Sequence, residues 1–192
     1  MPNEPIQTPI ETDPRPRELT TPKSLLLVHT GHGKGKSSSA FGVMMRGIAR
    51  GWNVCVVQFI KSGDWNVGEE KIGRQMGVEW HSFGSGFTWD SANLELDKQL
   101  ARDSWYRAKN FLDSGRFDLL ILDELTYLLT WAWVDEEEVV NSLTRRPPHV
   151  NVVVTGRDAP HRLIDAADTV TEMRNVKHAY QAGFKALRGI DY

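Results

Sequence analysis

A short apolar run, a glycine-rich turn and a helical pattern follow one another early in this chain, and this order strongly restricts the fold. Residues Ser24–Arg50 read SLLLVHTGHGKGKSSSAFGVMMRGIAR. Leu25–Val28 has the length of a buried strand, and the apolar residues that follow Lys36-Ser37 recur at helical spacing. A strand, a glycine loop, Lys-Ser and a helix in this order are typical of a P-loop.

The predicted loop has the chemistry of a phosphate site. Glycines let backbone N–H groups surround an anion without Cβ clashes, and the start of a helix adds unpaired N–H groups and partial positive charge. The Lys36 ammonium would reach phosphate oxygens, and the Ser37 hydroxyl would bind Mg²⁺. The common pattern G-x-x-x-x-G-K-[ST] requires a glycine where this chain has Thr30; here the first glycine is Gly31. The sequence therefore predicts a variant P-loop.

Composition excludes several classes of protein. The 192 residues suit one domain with a full core, and a net charge of −2 gives no basic field that would favour nucleic acid. The single cysteine, Cys55, rules out a disulfide within the chain and a cysteine-rich zinc site. The sequence shows neither an apolar stretch of membrane-spanning length nor a signal-peptide core. We expect a cytoplasmic protein with no nucleic-acid partner and no membrane contact.

The pattern along the chain predicts one α/β domain. Met1–Lys23 holds six of the nine prolines and is expected to be a flexible arm, with a single P-loop domain over residues 24–192. Strands alternating with helices predict a three-layer α/β/α fold of the RecA-like P-loop type with a mostly parallel central sheet. Further strands are predicted at Asn53–Ile60, Val78–Phe83, Phe117–Leu122, Val150–Thr155 and Thr169–Met173, and helices near Glu69–Met76, Asn93–Ser114, Asp135–Arg146 and Pro160–Ala167.

Parallel strands also predict where the site lies. Ligands bind outside the carboxyl ends of the strands in an open parallel sheet. Five segments each follow a predicted strand, so we expect them to meet at one edge. They are the P-loop, Lys61–Gly68, the Phe87–Trp89 loop, Asp123-Glu124 and Gly156-Arg157.

Charged residues at that edge suggest particular roles. Asp123-Glu124 closes an apolar strand, where a carboxylate can hold Mg²⁺ directly or through water, opposite Ser37. Arg157 follows the next strand, and its guanidinium could stabilise phosphate charge with paired hydrogen bonds. The alternatives are an acidic pair that starts a helix and a surface arginine.

Two aromatic residues in a glycine-rich loop lack a local structural explanation. Phe87 and Trp89 lie two residues apart in Gly84–Ala92, with no helical or strand periodicity around them. They either anchor the loop into the core or form an apolar platform for a large flat ligand.

Longer segments of the chain resemble one enzyme family. TGHGKGKSS, VVQFIKSGDWNVGE, GFTWD, ILDELTY, VVTGRDAPHRLIDAADTVTEM and the ending NVKHAYQAGFKALRGIDY resemble, in this order, ATP:corrinoid adenosyltransferases of the CobA/BtuR type. The resemblance covers roughly Ser24 to Tyr192, and GFTW, DELTY and the ending are far more specific than a P-loop alone. The late glycine at Gly31 is also similar to this family.

The resemblance implies transfer of the 5′-deoxyadenosyl group of ATP to the Co(I) of a corrinoid, with triphosphate as the leaving group. It implies Mg²⁺ or Mn²⁺ as the metal, a flavoprotein as the reductant and a homodimer. Lys36 and Glu124 would be catalytic, Phe87 and Trp89 would face the corrinoid, and Ser37, Glu124 and Asp123 would serve the metal. The implied ATP contacts are Gly31, His32, Gly33, Lys34, Gly35, Lys36, Ser37, Ser38 and Arg157.

Two other functions remain open at this point. A nucleoside kinase of the thymidine-kinase type also pairs a P-loop with an Asp-Glu strand end, but it usually has a four-cysteine zinc lobe, which a chain with one cysteine cannot form. A regulatory P-loop ATPase would bind ATP without small-molecule chemistry. The nucleotide products separate these cases, because an ATPase releases ADP and phosphate whereas an adenosyltransferase releases intact triphosphate.

Overall fold

The computed structural model describes residues 18–60, 68–83 and 94–191. In these residues six strands form one sheet in the order β3-β2-β4-β5-β1-β6, and every neighbouring pair runs parallel. The strands are β1 Leu26–Thr30, β2 Val54–Gln58, β3 Glu79–Ser82, β4 Leu119–Asp123, β5 Asn151–Thr155 and β6 Thr169–Glu172. The predicted parallel α/β sheet is confirmed, and its described strand pairs are all parallel.

The helices come between the strands, as the alternating pattern predicts. They are α1 Lys36–Ile48, α2 Gly68–Gln75, α3 Leu94–Asp113, α4 Leu125–Thr130, α5 Glu136–Thr144 and α6 His161–Ala166. Among the described residues, none of the helices has both the length and the apolar character needed to cross a membrane.

Both faces of the sheet are buried at its central strands, which explains why these strands are almost continuously apolar. In β4, Leu119 and Ile121 pack on one face against α1, whereas Leu120 and Leu122 pack on the other face with residues of α3, α5 and α6. All four of these side chains are fully buried. The sheet is therefore the middle of three layers, as predicted.

One helix, α4, follows β4 directly and is not among the predicted elements. Glu124 turns the chain through a left-handed backbone conformation, φ 66°, and Leu125–Thr130 then forms a short helix whose Leu125 and Leu128 are buried. A six-residue apolar run is too short to distinguish a helix from a strand by periodicity, so this turn is decided by packing.

Residues 18–23 form neither helix nor strand and are exposed. The rest of the predicted arm, residues 1–17, lies outside the described residues, so the division at residue 23 stays a prediction. The same holds for residues 61–67 of the predicted Lys61–Gly68 loop, and for residues 84–93, which include Phe87 and Trp89.

We predict that Cys55 will react with thiol reagents only when the chain unfolds. Its side chain is fully buried in β2, and burial raises the pKa of the thiol to about 12. At pH 8 its thiolate fraction is then roughly a thousandfold below that of a free cysteine with a pKa of about 8.5. Ellman's reagent should label one thiol per chain rapidly in denaturant and far more slowly in native buffer. Equal labelling rates in the two conditions would contradict this placement.

Candidate functional site

The P-loop joins β1 to α1 and leaves the start of the helix open to an anion. Gly31 and Gly35 take positive φ angles of 93° and 119°, which only glycine adopts readily. In the described structure no side chain caps α1, and its first turn contains no acidic residue. The N–H groups of that turn and the positive end of the helix dipole are therefore available to a negatively charged ligand.

The loop glycines also have a packing role that the motif does not reveal. The Gly33 N–H donates to the Met173 carbonyl at 2.6 Å, just beyond the end of β6. A Cβ on Gly31 would lie 2.6 Å from the same carbonyl oxygen, and one on Gly33 would lie 2.6 Å from the Arg174 oxygen. The loop thus holds its shape because the backbone after β6 approaches it too closely for any side chain.

Lys36, the first residue of α1, is buried with 8% of its surface exposed. Its Nζ donates to the Gly33 carbonyl at 2.8 Å, which directs the ammonium back over the loop. Burial lowers the pKa of Lys36, nearby Glu124 opposes that shift, and Arg157 adds to it. The arrangement places one cation among acidic and basic neighbours at the predicted edge of the sheet.

The acidic pair closes β4 as predicted, and its two members lie in different environments. Asp123 is fully buried, and it accepts from the Thr155 hydroxyl at 2.7 Å and from the Gln58 amide at 3.0 Å. Glu124 lies one residue further on, and its N–H donates to Thr155 Oγ1 at 3.0 Å. Because each Asp123 oxygen already accepts a protein hydrogen bond, the geometry favours Asp123 as a residue that orients the site.

The turn after β5 brings Arg157 to the same edge. Gly156 has φ 137°, and a Cβ there would collide with the Thr126 side chain of α4. The Thr126 hydroxyl donates to the Arg157 carbonyl at 2.6 Å, which fixes the backbone that carries the guanidinium. The next residue, Asp158, forms an exposed contact of 3.2 Å with His32 of the P-loop.

A cavity of about 380 Å³ opens over the P-loop. Its walls include the loop itself, Arg157 and a C-terminal segment that no local motif identifies as part of the site. Lys34 of the loop also forms an ion pair with Asp191 of that segment, with Nζ and Oδ1 2.7 Å apart. The lining residues are His32, Gly33, Lys34, Lys36, Arg157, Asn175, His178, Tyr180 and Gln181.

We call Asn175, His178, Tyr180 and Gln181 the C-terminal wall of the cavity. In the sequence, one feature pointed to this segment, which was the family-like ending NVKHAYQAGFKALRGIDY. Apart from the short 3₁₀ helix Ala179–Ala182, residues 173–191 form no regular element, so periodicity does not place them. Two contacts join them to the P-loop, one from the Met173 carbonyl to the Gly33 N–H and one between Asp191 and Lys34.

The oxygen donors present fit a hard divalent cation. Within the described residues, no group of three or more His, Cys, Asp or Glu side chains could enclose a metal. Ser37, which is partly buried at the start of α1, and the carboxylate of Glu124 offer oxygen ligands at this edge. Mg²⁺ is commonly held by one or two protein oxygens together with ligand phosphates, so this donor set suits a metal shared with a bound nucleotide.

A family model for "ATP:corrinoid adenosyltransferase BtuR/CobO/CobP" matches residues 22–192. The chain belongs to this ATP:corrinoid adenosyltransferase family. The match spans the P-loop, the acidic pair, Arg157 and the C-terminal wall together, so all the residues that form the cavity lie within the family domain.

Curated members of the family are similar over most of their length. The corrinoid adenosyltransferase of Escherichia coli K12 is 42% identical over 182 residues, covering 95% of this chain and 92% of that protein. CobA of Salmonella typhimurium LT2 is 42% identical over 180 residues, covering 94% and 91%. The Pseudomonas aeruginosa enzyme is 44% identical over 172 residues, covering 88% and 84%.

Among solved structures, the flagellar accessory protein FlaH of Methanocaldococcus jannaschii aligns with a TM-score of 0.49 at 11% identity. The alignment covers 78% of this chain and 70% of that one.

We predict that Gly31→Ala will destabilise the protein and Gly42→Ala will not. The new methyl group at position 31 would meet the Met173 backbone, and its positive φ alone costs roughly 1–3 kcal/mol for a non-glycine residue. Gly42, in the middle of α1, has no atom within 4 Å of an added Cβ, so alanine there should stabilise by up to about 1 kcal/mol. Urea unfolding of both variants tests this. Equal midpoints would contradict the close packing inferred for the loop.

Proposed function

We propose that this chain transfers the 5′-deoxyadenosyl group of ATP to the Co(I) of a corrinoid and releases triphosphate. The observation that carries the proposal is the uncapped helix start with buried Lys36 beneath a 380 Å³ cavity, in a chain of this family. In the reaction a Co–C5′ bond forms, the bond from C5′ to the triphosphate oxygen breaks, and that oxygen keeps the electron pair. Co(I) is already a strong nucleophile, so no general base is required.

The protein's main task is then to place C5′ in line with cobalt and to stabilise the departing triphosphate. We assign the backbone of Gly31–Ser38 and the ammonium groups of Lys34 and Lys36 to the phosphate oxygens. A buried ammonium interacts more strongly with an anion than an exposed one does, because less water screens the pair. Arg157 lines the same cavity and is assigned to the phosphates as a second cation.

The Lys36 ammonium has three N–H donors, so it can bind a phosphate oxygen of ATP and keep its bond to the Gly33 carbonyl. In the described structure its Nζ is bonded to the Gly33 carbonyl. Burial lowers its pKa, and the negative charge of an arriving triphosphate would favour the ammonium form again. Burial therefore disfavours the charged form of Lys36 in the absence of ligand, and it also strengthens the interaction of that charge with the leaving group.

We assign a Mg²⁺ ion, or Mn²⁺ in its place, to the Ser37 hydroxyl and the Glu124 carboxylate, with Asp123 in support. When bound, the metal would neutralise part of the charge on the triphosphate. The left-handed turn at Glu124 and its N–H bond to Thr155 hold the start of the side chain at the sheet edge. His32 of the loop and Ser38 in the first turn of α1 are both exposed, and we assign them to ATP at its open side.

Phe87 and Trp89 are assigned to the corrinoid. An apolar wall at the lower face of the ring would exclude water and the lower ligand from cobalt, which makes reduction to Co(I) easier. Electrons would come from a separate flavoprotein. We further propose that the protein acts in the cytoplasm as a homodimer, in the formation or salvage of the adenosylated cofactor.

The products test this function directly. We predict that the protein, supplied with ATP, Mg²⁺ and chemically reduced cob(I)alamin, will give a light-sensitive alkylcobalt spectrum and one triphosphate per turnover. Lys36→Ala should lower the rate by on the order of 100-fold with ATP saturating, because it removes a charge directed at the leaving group. ADP and phosphate without alkylcobalt would instead indicate an ATPase. A rate loss below tenfold for Lys36→Ala would remove Lys36 from its assigned role.

A second prediction concerns Phe87→Ala and Trp89→Ala. If these side chains exclude the lower ligand, both variants should lose most activity when a mild protein reductant must reduce Co(II). They should recover much of it when Co(I) is supplied directly, and ATP affinity should hardly change.

The alternative for these two residues is a core anchor, and melting temperature distinguishes it. Truncation of a buried Phe or Trp to Ala costs roughly 3–5 kcal/mol of stability. A large drop in melting temperature, with equal losses from Co(II) and from Co(I), would overturn the assignment to the corrinoid.

A further inference from the structure

A buried glutamine connects three strands beside the acidic pair. Gln58 is the last residue of β2, it is 1% exposed, and it pairs in register with Ser82 of β3 on one side and Asp123 of β4 on the other. Its Nε2 donates to Asp123 Oδ2 at 3.0 Å. Its Oε1 accepts from Trp80 Nε1 at 3.0 Å and from the Ser82 hydroxyl at 3.3 Å.

The orientation of this amide is fixed by its neighbours. An indole N–H can only donate, so the Gln58 atom that faces Trp80 must be the carbonyl oxygen. The NH₂ group then has to face Asp123, whose Oδ2 accepts from it. A flipped amide would set donor against donor on one side and acceptor against acceptor on the other.

A second residue holds the same carboxylate from the opposite strand. The Thr155 hydroxyl at the end of β5 donates to Asp123 Oδ1 at 2.7 Å and accepts the Glu124 N–H at 3.0 Å. One chain of hydrogen bonds therefore runs from Trp80 through Gln58, Asp123 and Thr155 to the backbone of Glu124. Trp80, Gln58, Asp123 and Thr155 are each at most 2% exposed.

Because these residues are buried, the loss of one hydrogen bond in this chain is energetically costly. A carboxylate removed from water is strongly disfavoured unless hydrogen bonds compensate it, and losing one partner of a buried charge is costly. Glu124 has a left-handed backbone that a non-glycine residue adopts only where its surroundings enforce it. The Thr155 hydroxyl is the part of those surroundings that binds the Glu124 N–H.

We propose that Gln58 and Thr155 are positioning residues that fix the Asp123 carboxylate between them and so direct Glu124 toward the metal. Neither side chain need touch ATP, corrinoid or metal. The inference rests on the proposed metal role of Glu124, and it adds two residues that act through the acidic pair. Their loss should weaken metal binding specifically, while the P-loop keeps its metal-free contacts with the nucleotide.

The test compares metal binding with nucleotide binding in the full chain. Gln58→Leu removes both hydrogen-bonding ends at similar volume. The dissociation constant of Mn²⁺ from the protein–ATP complex should rise about tenfold, as is usual when a metal site loses its hydrogen-bonded support. It is measured by the EPR signal of free Mn²⁺, with protein in excess over ATP so that no free nucleotide chelates the ion. ATP affinity in EDTA should stay within twofold of wild type.

Two variants of Thr155 form a matched pair, and they test the proposal even if Gln58→Leu does not fold. Thr155→Val removes the hydroxyl at constant shape and should weaken Mn²⁺ binding, whereas Thr155→Ser keeps the hydroxyl and should restore it. Ser104→Ala removes another buried hydroxyl, which donates to the Ala101 carbonyl within α3, and should leave Mn²⁺ binding unchanged.

Several results would overturn the proposal. Mn²⁺ binding within twofold of wild type in Gln58→Leu is one, and equal values for Thr155→Val and Thr155→Ser are another. A parallel loss of metal-free ATP affinity and melting temperature would reduce both residues to a structural role. Glu124→Gln distinguishes failure of the positioning role from failure of the metal site itself. If Glu124→Gln weakens Mn²⁺ binding and Gln58→Leu does not, only the positioning role fails. If Glu124→Gln leaves Mn²⁺ binding intact, the proposed metal site fails with it.

Discussion

Three neighbouring strands of the sheet, β4, β5 and β1, run in the same direction. Their last residues, Asp123, Thr155 and Thr30, therefore lie at one edge of the sheet. Every part of the site depends on that parallel pairing. It places the P-loop after β1 and the Arg157 turn after β5 around one cavity, and Glu124 after β4 at the same edge of the sheet. A strand reversed at any of these positions would move its loop to the opposite edge.

Charge burial shapes what that edge can do. Lys36 and Asp123 are both withdrawn from water. Lys36 donates to the Gly33 carbonyl in its own loop, whereas Asp123 accepts from Gln58 of the neighbouring strand β2. Buried charges of this kind are costly to leave unpaired and interact strongly with a ligand of opposite sign. The site thus combines a buried lysine with a carboxylate that is held by hydrogen bonds from both neighbouring strands. A transfer reaction that needs placement rather than proton transfer suits such an arrangement.

Elements that a local pattern can specify were predicted well. The P-loop, the alternation of strands and helices and the acidic end of β4 each depend on residues within about ten positions of one another, and the structure has all of them. The short helix α4 and the C-terminal wall were not predicted. The first is an apolar run too short to show a period. The second belongs to a segment that contacts the P-loop through residues far from it in the chain, which are Met173 against Gly33 and Asp191 against Lys34.

By itself the sequence determined the strand, glycine turn and helix of the P-loop, the parallel α/β class and, through its longer family-like segments, the corrinoid adenosyltransferase family. Only the tertiary structure shows which residues form hydrogen bonds with Asp123 and Glu124. Gln58 is an unremarkable polar residue at a strand end until β2 is placed between β3 and β4, where the register sets it against Ser82 and Asp123. Strand order is a nonlocal property, because it is set by packing both faces of the sheet at once. A short stretch of sequence therefore cannot reveal the order of the strands.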